Sequence, residues 1–336
     1  MSALSLPHPL RPYALNRDTA PAFWALGILW LPLATGMQTG NRLVLLEQDF
    51  AAGPGPAAHY HPYDEGFYIL EGAFTFRAGG GTYPAGPGTF VHIPRLVPHS
   101  FTVDAGPARA LNFYPSAGFD LLIMSLGQPA PARRIPTLAE APLPPHDQVD
   151  ILFKLFGHTD VHPSSGPPQA ADYATQPAAW SPSAVYLTTA EQSPTYAALG
   201  SQWTLLAGSA HTAGSYALLE QVLPARATTA PQRHAEAEAL YVLAGTLRLV
   251  LDEQVLEAPA GTFVFIPAGT VHALTAGAEP ARFLDFYLPG GFERGITDFG
   301  SQPAEPGKAA ATAPGADIQT FFDQAGTQTI AVHPPA

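Results

Sequence analysis

The chain has 336 residues, with 15 Lys and Arg against 27 Asp and Glu, a net charge of −12, and no cysteine. So acidic a chain, with only two lysines (Lys154 and Lys308) and no basic cluster, repels phosphate backbones and anionic lipid, which argues against nucleic-acid and membrane partners. Disulfides, thiolate metal sites, iron–sulfur clusters and cysteine nucleophiles are excluded outright.

The length fits about two domains. Gly 31 and Pro 37 are numerous but fall between apolar runs, which predicts short strands joined by turns. In chain order, residues 22–34, AFWALGILWLPLA, are apolar but too short to span a bilayer, contain Pro32 and lack a small-residue cleavage site after them. They read as buried strands, and the compartment as cytoplasm. Residues 53–72, GPGPAAHYHPYDEGFYILEG, place His59 and His61 two apart, on one face of a strand, with Glu65 at the same parity. Strands are expected over 66–76, 89–94, 100–103 and 109–114, with Gly79-Gly80-Gly81 as a hairpin turn, since no helix follows it to cradle a phosphate. Residues 118–127, GFDLLIMSLG, predict a short helix, and 146–156, HDQVDILFKLF, an amphipathic one. SSGPPQ (164–169) and the tail beyond Gln302 read as mobile, Pro/Ala/Gly-rich connections.

A shift of 173 residues lays one half of the chain on the other. Gly88-Thr-Phe-Val-His-Ile-Pro94 falls on Gly261-Thr-Phe-Val-Phe-Ile-Pro267, and His61, Glu65, Gly72 and His99 fall on His234, Glu238, Gly245 and His272. The match runs without insertion from about Tyr13/Tyr186 to Phe119/Phe292. A repeat of this length is a domain duplication, not a solenoid. The second copy of the apolar segment, TYAALGSQWTLLAGSA, carries Ser201, Gln202 and Thr204, which removes any membrane reading of the first. The organisation expected is an N-terminal domain over 1–145, a helical and Pro-rich linker over 146–182, a C-terminal domain over 183–300 and a tail over 301–336. Each domain is expected to be an antiparallel β-barrel or sandwich.

His59, His61, Glu65 and His99 can converge on one barrel face. Three imidazoles and one carboxylate suit a divalent first-row ion (Fe, Ni, Cu, Co, Mn or Zn) and leave coordination positions open. Solvent-facing histidines are the blander alternative, set against the spacing of all four residues and their partial echo in the second copy. In that copy Gln232 replaces His59 while His234, Glu238 and His272 remain. This second set either holds a poorer metal site or is a decayed one left to packing or to dimerisation, so a homodimer stays open. Phe67, Tyr68, Phe74, Phe76 and Phe101 are candidates for an apolar pocket above the metal, although strand aromatics more often form core. Asp64 is expected to face away from Glu65, His92 to be a surface histidine, and Arg109 and Arg282 to make the same structural ion pair in each copy.

The stretch Gly53-x5-His59-x-His61-x3-Glu65-x6-Gly72 resembles the first cupin motif at every defined position. Gly88-x5-Pro94-x-Leu96-x2-His99 resembles the second, with Leu96 in place of the usual glycine and Val103 in place of the usual asparagine. The chain therefore resembles a bicupin over about two-thirds of its length. The resemblance implies an all-β fold of two tandem cupin barrels (double-stranded β-helix, or jelly-roll) with a few short helices. It also implies His59, His61, Glu65 and His99 as ligands of one divalent transition metal. The wording YDEGFYILEG, FVHIPRLVPHSF and FYPSAGFD is most similar to quercetin 2,3-dioxygenase-like proteins. That similarity implies oxygenolytic ring cleavage of a flavonol, with dioxygen as co-substrate and Glu65 as both ligand and base. Two other classes remain open: a metal-dependent isomerase, lyase or decarboxylase acting on a small acid or sugar, and a non-catalytic small-molecule-binding bicupin.

Overall fold

In the computed structural model, residues 10–116, 118–142, 145–160, 184–301 and the pair 328–329 are described. The chain divides into two compact units, one of Thr19–Thr189 and one joining residues up to Asp18 with those from Ala190 onward. Each is built from antiparallel strands, and together they form two tandem jelly-roll barrels with a few short helices.

The N-terminal unit begins with the apolar segment, which folds as a hairpin. Phe23–Ala25 pairs with Ile28–Ala34 through a Leu26-Gly27 turn, both residues having positive φ (53° and 76°). The second copy makes the same turn, at Leu199 and Gly200 (53° and 75°). In both copies an indole clamps it: Trp30 Nε1 donates to the Ala25 carbonyl and Trp203 Nε1 to that of Ala198, each at 2.9 Å. Val44–Phe50, His99–Tyr114, Glu65–Ala78 and Thr89–Ile93 continue the sheet in that order. The triglycine is a hairpin turn, with Gly79 and Gly80 at φ 55° and 82° before strand Gly81–Ala85 pairs back on Glu65–Ala78.

Residues 100–103 and 109–114, expected as separate strands, belong to one strand, His99–Tyr114. Its register on Glu65–Ala78 shifts three times between Val103 and Ala110. Such irregularities let a single long strand turn from one sheet of the barrel to the other. Helices occupy Phe119–Leu126 and His146–Leu155, close to the segments whose periodicity predicts them.

The C-terminal unit holds a seven-stranded and a five-stranded sheet. The first strand of each duplicated block pairs in the other barrel. Tyr13–Asn16 pairs with Thr262–Ile266 in the C-terminal unit, and Tyr186–Thr189 pairs with Thr89–Ile93 in the N-terminal unit. The unit boundaries therefore fall at Asp18 and Thr189 and not where composition changes, because the strand leading into each repeat completes the other barrel. SSGPPQ lies outside the described residues, as does the tail beyond Gln302 apart from Gln328–Thr329. No helix among the described residues is long and apolar enough to cross a membrane.

Candidate metal centre

His59 lies on the two-residue strand His59–Tyr60, directly opposite His99 in the register, so their imidazoles meet at a centroid distance of 4.3 Å. His61 projects from the same side, 5.7 Å from the His59 ring and 5.0 Å from that of His99. The potential ligand atoms of the three histidines all lie within 4.8 Å of one another. Each ring is oriented from behind by a backbone carbonyl: Nδ1 of His59, His61 and His99 bonds to the oxygens of Ala57, Tyr63 and Val97 at 2.9, 2.8 and 2.8 Å. A carbonyl can only accept, so each Nδ1 carries the proton and each Nε2 offers its lone pair forward.

Glu65 opens the next strand and supplies the fourth group. Its Oε2 lies 3.3 Å from His61 Nε2 and 2.9 Å from His99 Nε2. His99 Nε2 nevertheless makes no hydrogen bond and is buried. With its proton on Nδ1, His99 has no Nε2–H to donate, so the short contact brings two electron-pair donors to a common point. A buried His99 Nε2 without a hydrogen-bond partner, set with two further imidazoles beside a carboxylate oxygen, belongs to a donor set that fits a divalent ion. Burial, followed by the charges of His99 and His61, pushes His59 well below its usual pKa, leaving it neutral and free to ligate. Burial alone would raise the Glu65 pKa, but the neighbouring His61 and His99 hold it well below the usual carboxylate range.

The other Glu65 oxygen, Oε1, accepts from the Tyr114 hydroxyl and, at 2.8 Å, from Asn112 Nδ2; Gln48 Nε2 in turn donates to Asn112 Oδ1 at 3.1 Å. These three residues fix which carboxylate oxygen faces the centre. Asn112 and Tyr114 share a parity on their strand, and an Asn inside the apolar run ALNFY was the sequence signal for them. His158 has no such signal, because it follows a helix outside the repeat. Its ring stacks on His59 at 5.4 Å and 16° and lies 4.9 Å from His61. Tyr63 holds it, with the hydroxyl 2.6 Å from His158 Nε2, and burial pushes the imidazole down to about 3. The short strand Thr159–Asp160 pairs with Tyr60 and His59, which ties this cover to the ligand strand itself.

One backbone detail positions His61. The Leu96 N–H donates to the His61 carbonyl at 2.8 Å with Leu96 at φ 63°, a left-handed conformation that disfavours a branched side chain. Gly269 makes the same bond to His234 at 2.9 Å with φ 79°, so the missing motif glycine changes the strain and not the geometry.

The remaining candidates fall around this centre. Phe67, Phe74, Phe76 and Phe101 pack on one another and on Phe50 as the barrel core, with centroids 5.1–6.0 Å apart between neighbours. Tyr68, which alternates with its neighbour Phe67, is buried outside that cluster. Asp64 turns away from the centre to Arg95, at 2.9 Å. His92, expected at the surface, is fully buried, because its strand is covered on both edges by Glu65–Ala78 and Tyr186–Thr189. Arg109 pairs with Glu47 and Arg282 with Glu220, both at 3.3 Å, so this ion pair recurs with the fold.

In the C-terminal barrel, His234, Glu238 and His272 also bring ligand atoms within 4.8 Å. Nδ1 of His234 and His272 bonds to the carbonyls of Glu236 and Thr270, each at 3.0 Å, and Glu238 Oε2 lies 3.1 and 3.0 Å from the two Nε2 atoms. Gln232 occupies the place of His59, with its Nε2 3.3 Å from His272 Nε2. Asp285 stands where Asn112 does. It is fully buried, and burial together with the charge of Glu238 pushes its pKa well up. The carboxylate that Asn112 supports in one barrel is thus faced by a second carboxyl in the other.

Comparison with known proteins agrees with this architecture. Residues 46–114 and 219–287 each match the family described as the cupin domain. The chain is 21% identical over 304 residues to quercetin 2,3-dioxygenase of Bacillus subtilis (strain 168), covering 86% of each chain. Among solved structures it resembles oxalate decarboxylase from B. subtilis at pH 4.6, with a TM-score of 0.56 and 16% identity over 84% of this chain and 78% of the other. A tryptophan-to-tyrosine variant of that enzyme superposes with a TM-score of 0.57 at 16% identity, covering 86% and 80%. At these identities the structural likenesses speak for the fold alone.

Proposed function

The chain is a bicupin, with one cupin domain in each half, and from that premise we propose that it is a metal-dependent dioxygenase of the quercetinase type. Its substrate is a flavonol or related enolic aromatic, cleaved at the N-terminal site. The observation that carries this reading is the split role of Glu65. One oxygen is anchored by Tyr114 and Asn112, and the other stands among three imidazoles. The similarity to a quercetin 2,3-dioxygenase along 86% of both chains supports it.

His59, His61, His99 and Glu65 would hold the ion, which when bound polarises the enolic oxygen of the substrate and relays electrons to dioxygen. The carbonyl-fixed imidazoles keep their lone pairs forward and pay little reorganisation. Glu65 Oε2 accepts the proton of the substrate hydroxyl, while Tyr114 and Asn112 prevent the carboxylate from rotating away. Two carbon–carbon bonds flanking the hydroxyl-bearing carbon then break. That carbon leaves with its oxygen as carbon monoxide, both atoms of dioxygen remain in the ester-linked product, and the Glu65 proton returns to the product. Tyr63, Phe119 and Phe153 surround His158 over the site, giving aromatic walls that limit water.

A small dicarboxylic acid would need a free cation, and Arg95, next to the ligand loop, is committed to Asp64. The test is aerobic quercetin followed by its visible absorbance, with carbon monoxide quantified, after reconstitution with each divalent ion in turn. Bleaching with stoichiometric carbon monoxide is expected. No bleaching with any ion, together with conversion of oxalate to formate and carbon dioxide, would replace this reading with the decarboxylase alternative.

A further inference from the structure

The C-terminal barrel contains a cavity of about 140 Å³ whose lining includes Trp203, Gln221, Gln232, Glu238, Leu274 and Tyr287. One of its walls is legible in the repeat. Five phenylalanines that fill the N-terminal core, Phe50, Phe67, Phe74, Phe76 and Phe101, become Leu223, Leu240, Leu247, Leu249 and Leu274. Phe101 packs its ring edge-on to Phe50 at 5.7 Å and lies 5.5 Å from Phe76, whereas Leu274 at the same place borders open space.

A polar group faces this space without a partner. Gln48 in the N-terminal barrel donates to Asn112, but its counterpart Gln221 is drawn aside, with Nε2 donating to Ser201 Oγ at 2.8 Å where the first copy has Ile28. Gln221 is 1% exposed and its Oε1 has no hydrogen-bond partner. A buried acceptor left unpaired is costly, and a ligand hydroxyl would satisfy it. The volume is close to that of an engineered apolar cavity, about 150 Å³, that binds benzene. The Glu238 carboxylate lines this space, which disfavours anions.

We propose that the C-terminal barrel binds a small neutral ring compound of benzene-like size whose hydroxyl donates to Gln221 Oε1 between Trp203 and Leu274. This site is separate from the N-terminal centre and does not depend on the reaction there. The loss of the first histidine at Gln232 and the exchange of the Phe101 ring for Leu274 then belong to one change, since both residues line the cavity.

The experiment is calorimetric titration of the full chain with phenol and with toluene, its isostere lacking the donor. Phenol is expected to bind saturably at one site per chain and about tenfold tighter than toluene, the worth of one good hydrogen bond. Leu274→Phe, which restores the residue of the first copy, should abolish phenol binding. Gln221→Leu should keep toluene binding and erase the preference for phenol. His61→Ala should leave both affinities unchanged. If Leu274→Phe fails to fold by circular dichroism, Gln221→Leu decides alone. Absence of saturable phenol binding, equal affinity for phenol and toluene in the unaltered chain, an unchanged preference in Gln221→Leu, or loss of phenol binding in His61→Ala would each overturn the proposal.

Discussion

The two barrels share a backbone plan and differ in how each carboxylate of the centre is supported. In the N-terminal barrel Glu65 is faced by an amide, Asn112, and by three imidazoles; in the C-terminal barrel Glu238 is faced by a carboxyl, Asp285, and by two imidazoles and an amide. The features common to both copies, namely the indole clamp on the Leu-Gly turn, the Arg–Glu pair and the carbonyls behind each histidine, are what the fold requires. The features that differ surround the reacting positions. A duplicated chain thus carries its own control, since whatever one copy lacks is not needed to build a barrel.

That comparison can be broken by exchanging the differences. His59→Gln gives the first barrel the ligand set of the second. Turnover is expected to fall by at least the roughly 10–100-fold that even outer partners of a metal site are worth, with lower metal retention after dialysis. The reverse change, Gln232→His, should raise metal bound by the C-terminal half without raising turnover.

Asn112→Asp is the next largest effect and has a definite sign. Glu65 titrates well below normal beside Asn112, whereas the Asp285 of the other barrel is pushed well up beside Glu238. A carboxyl at position 112 therefore makes the pair hold a proton to higher pH. The acid limb of the rate profile should move toward neutrality by on the order of one unit. An unchanged limb would mean that Glu65 is not the titrating base.

His158→Ala removes the ring stacked on His59 and leaves the ligands in place. Bound metal should be lost to a chelator several-fold faster, as read by a colorimetric indicator, while the metal content before challenge stays the same. Leu96→Gly is the smallest change. It relieves a left-handed leucine at a cost of about 1 kcal/mol, so the N-terminal unit should melt about 2–4 °C higher. Gly269→Leu should lower the melting of the C-terminal unit by a similar amount.

Much of this was legible in the sequence because the repeat supplies register. The spacing of His59, His61, Glu65 and His99 needs only strand periodicity to be placed on one face. The hairpin at Gly79-Gly80 needs only the positive φ that glycine permits. What escaped was non-local. His158 reaches the centre from the segment after a helix outside the repeat, so no spacing links it to His59. His92 looked exposed because the strand that covers it, Tyr186–Thr189, lies almost a hundred residues away in sequence. The unit boundaries were hidden for the same reason, since a strand that crosses to the other barrel leaves no change in composition.

The most direct test of the assignment of chemistry to the N-terminal barrel is to measure quercetin turnover and metal per chain in His61→Ala and His234→Ala side by side. Loss of turnover and of most bound metal in His61→Ala, with a milder change in His234→Ala, is the predicted result. Equal loss in both, or turnover that survives His61→Ala, would contradict it.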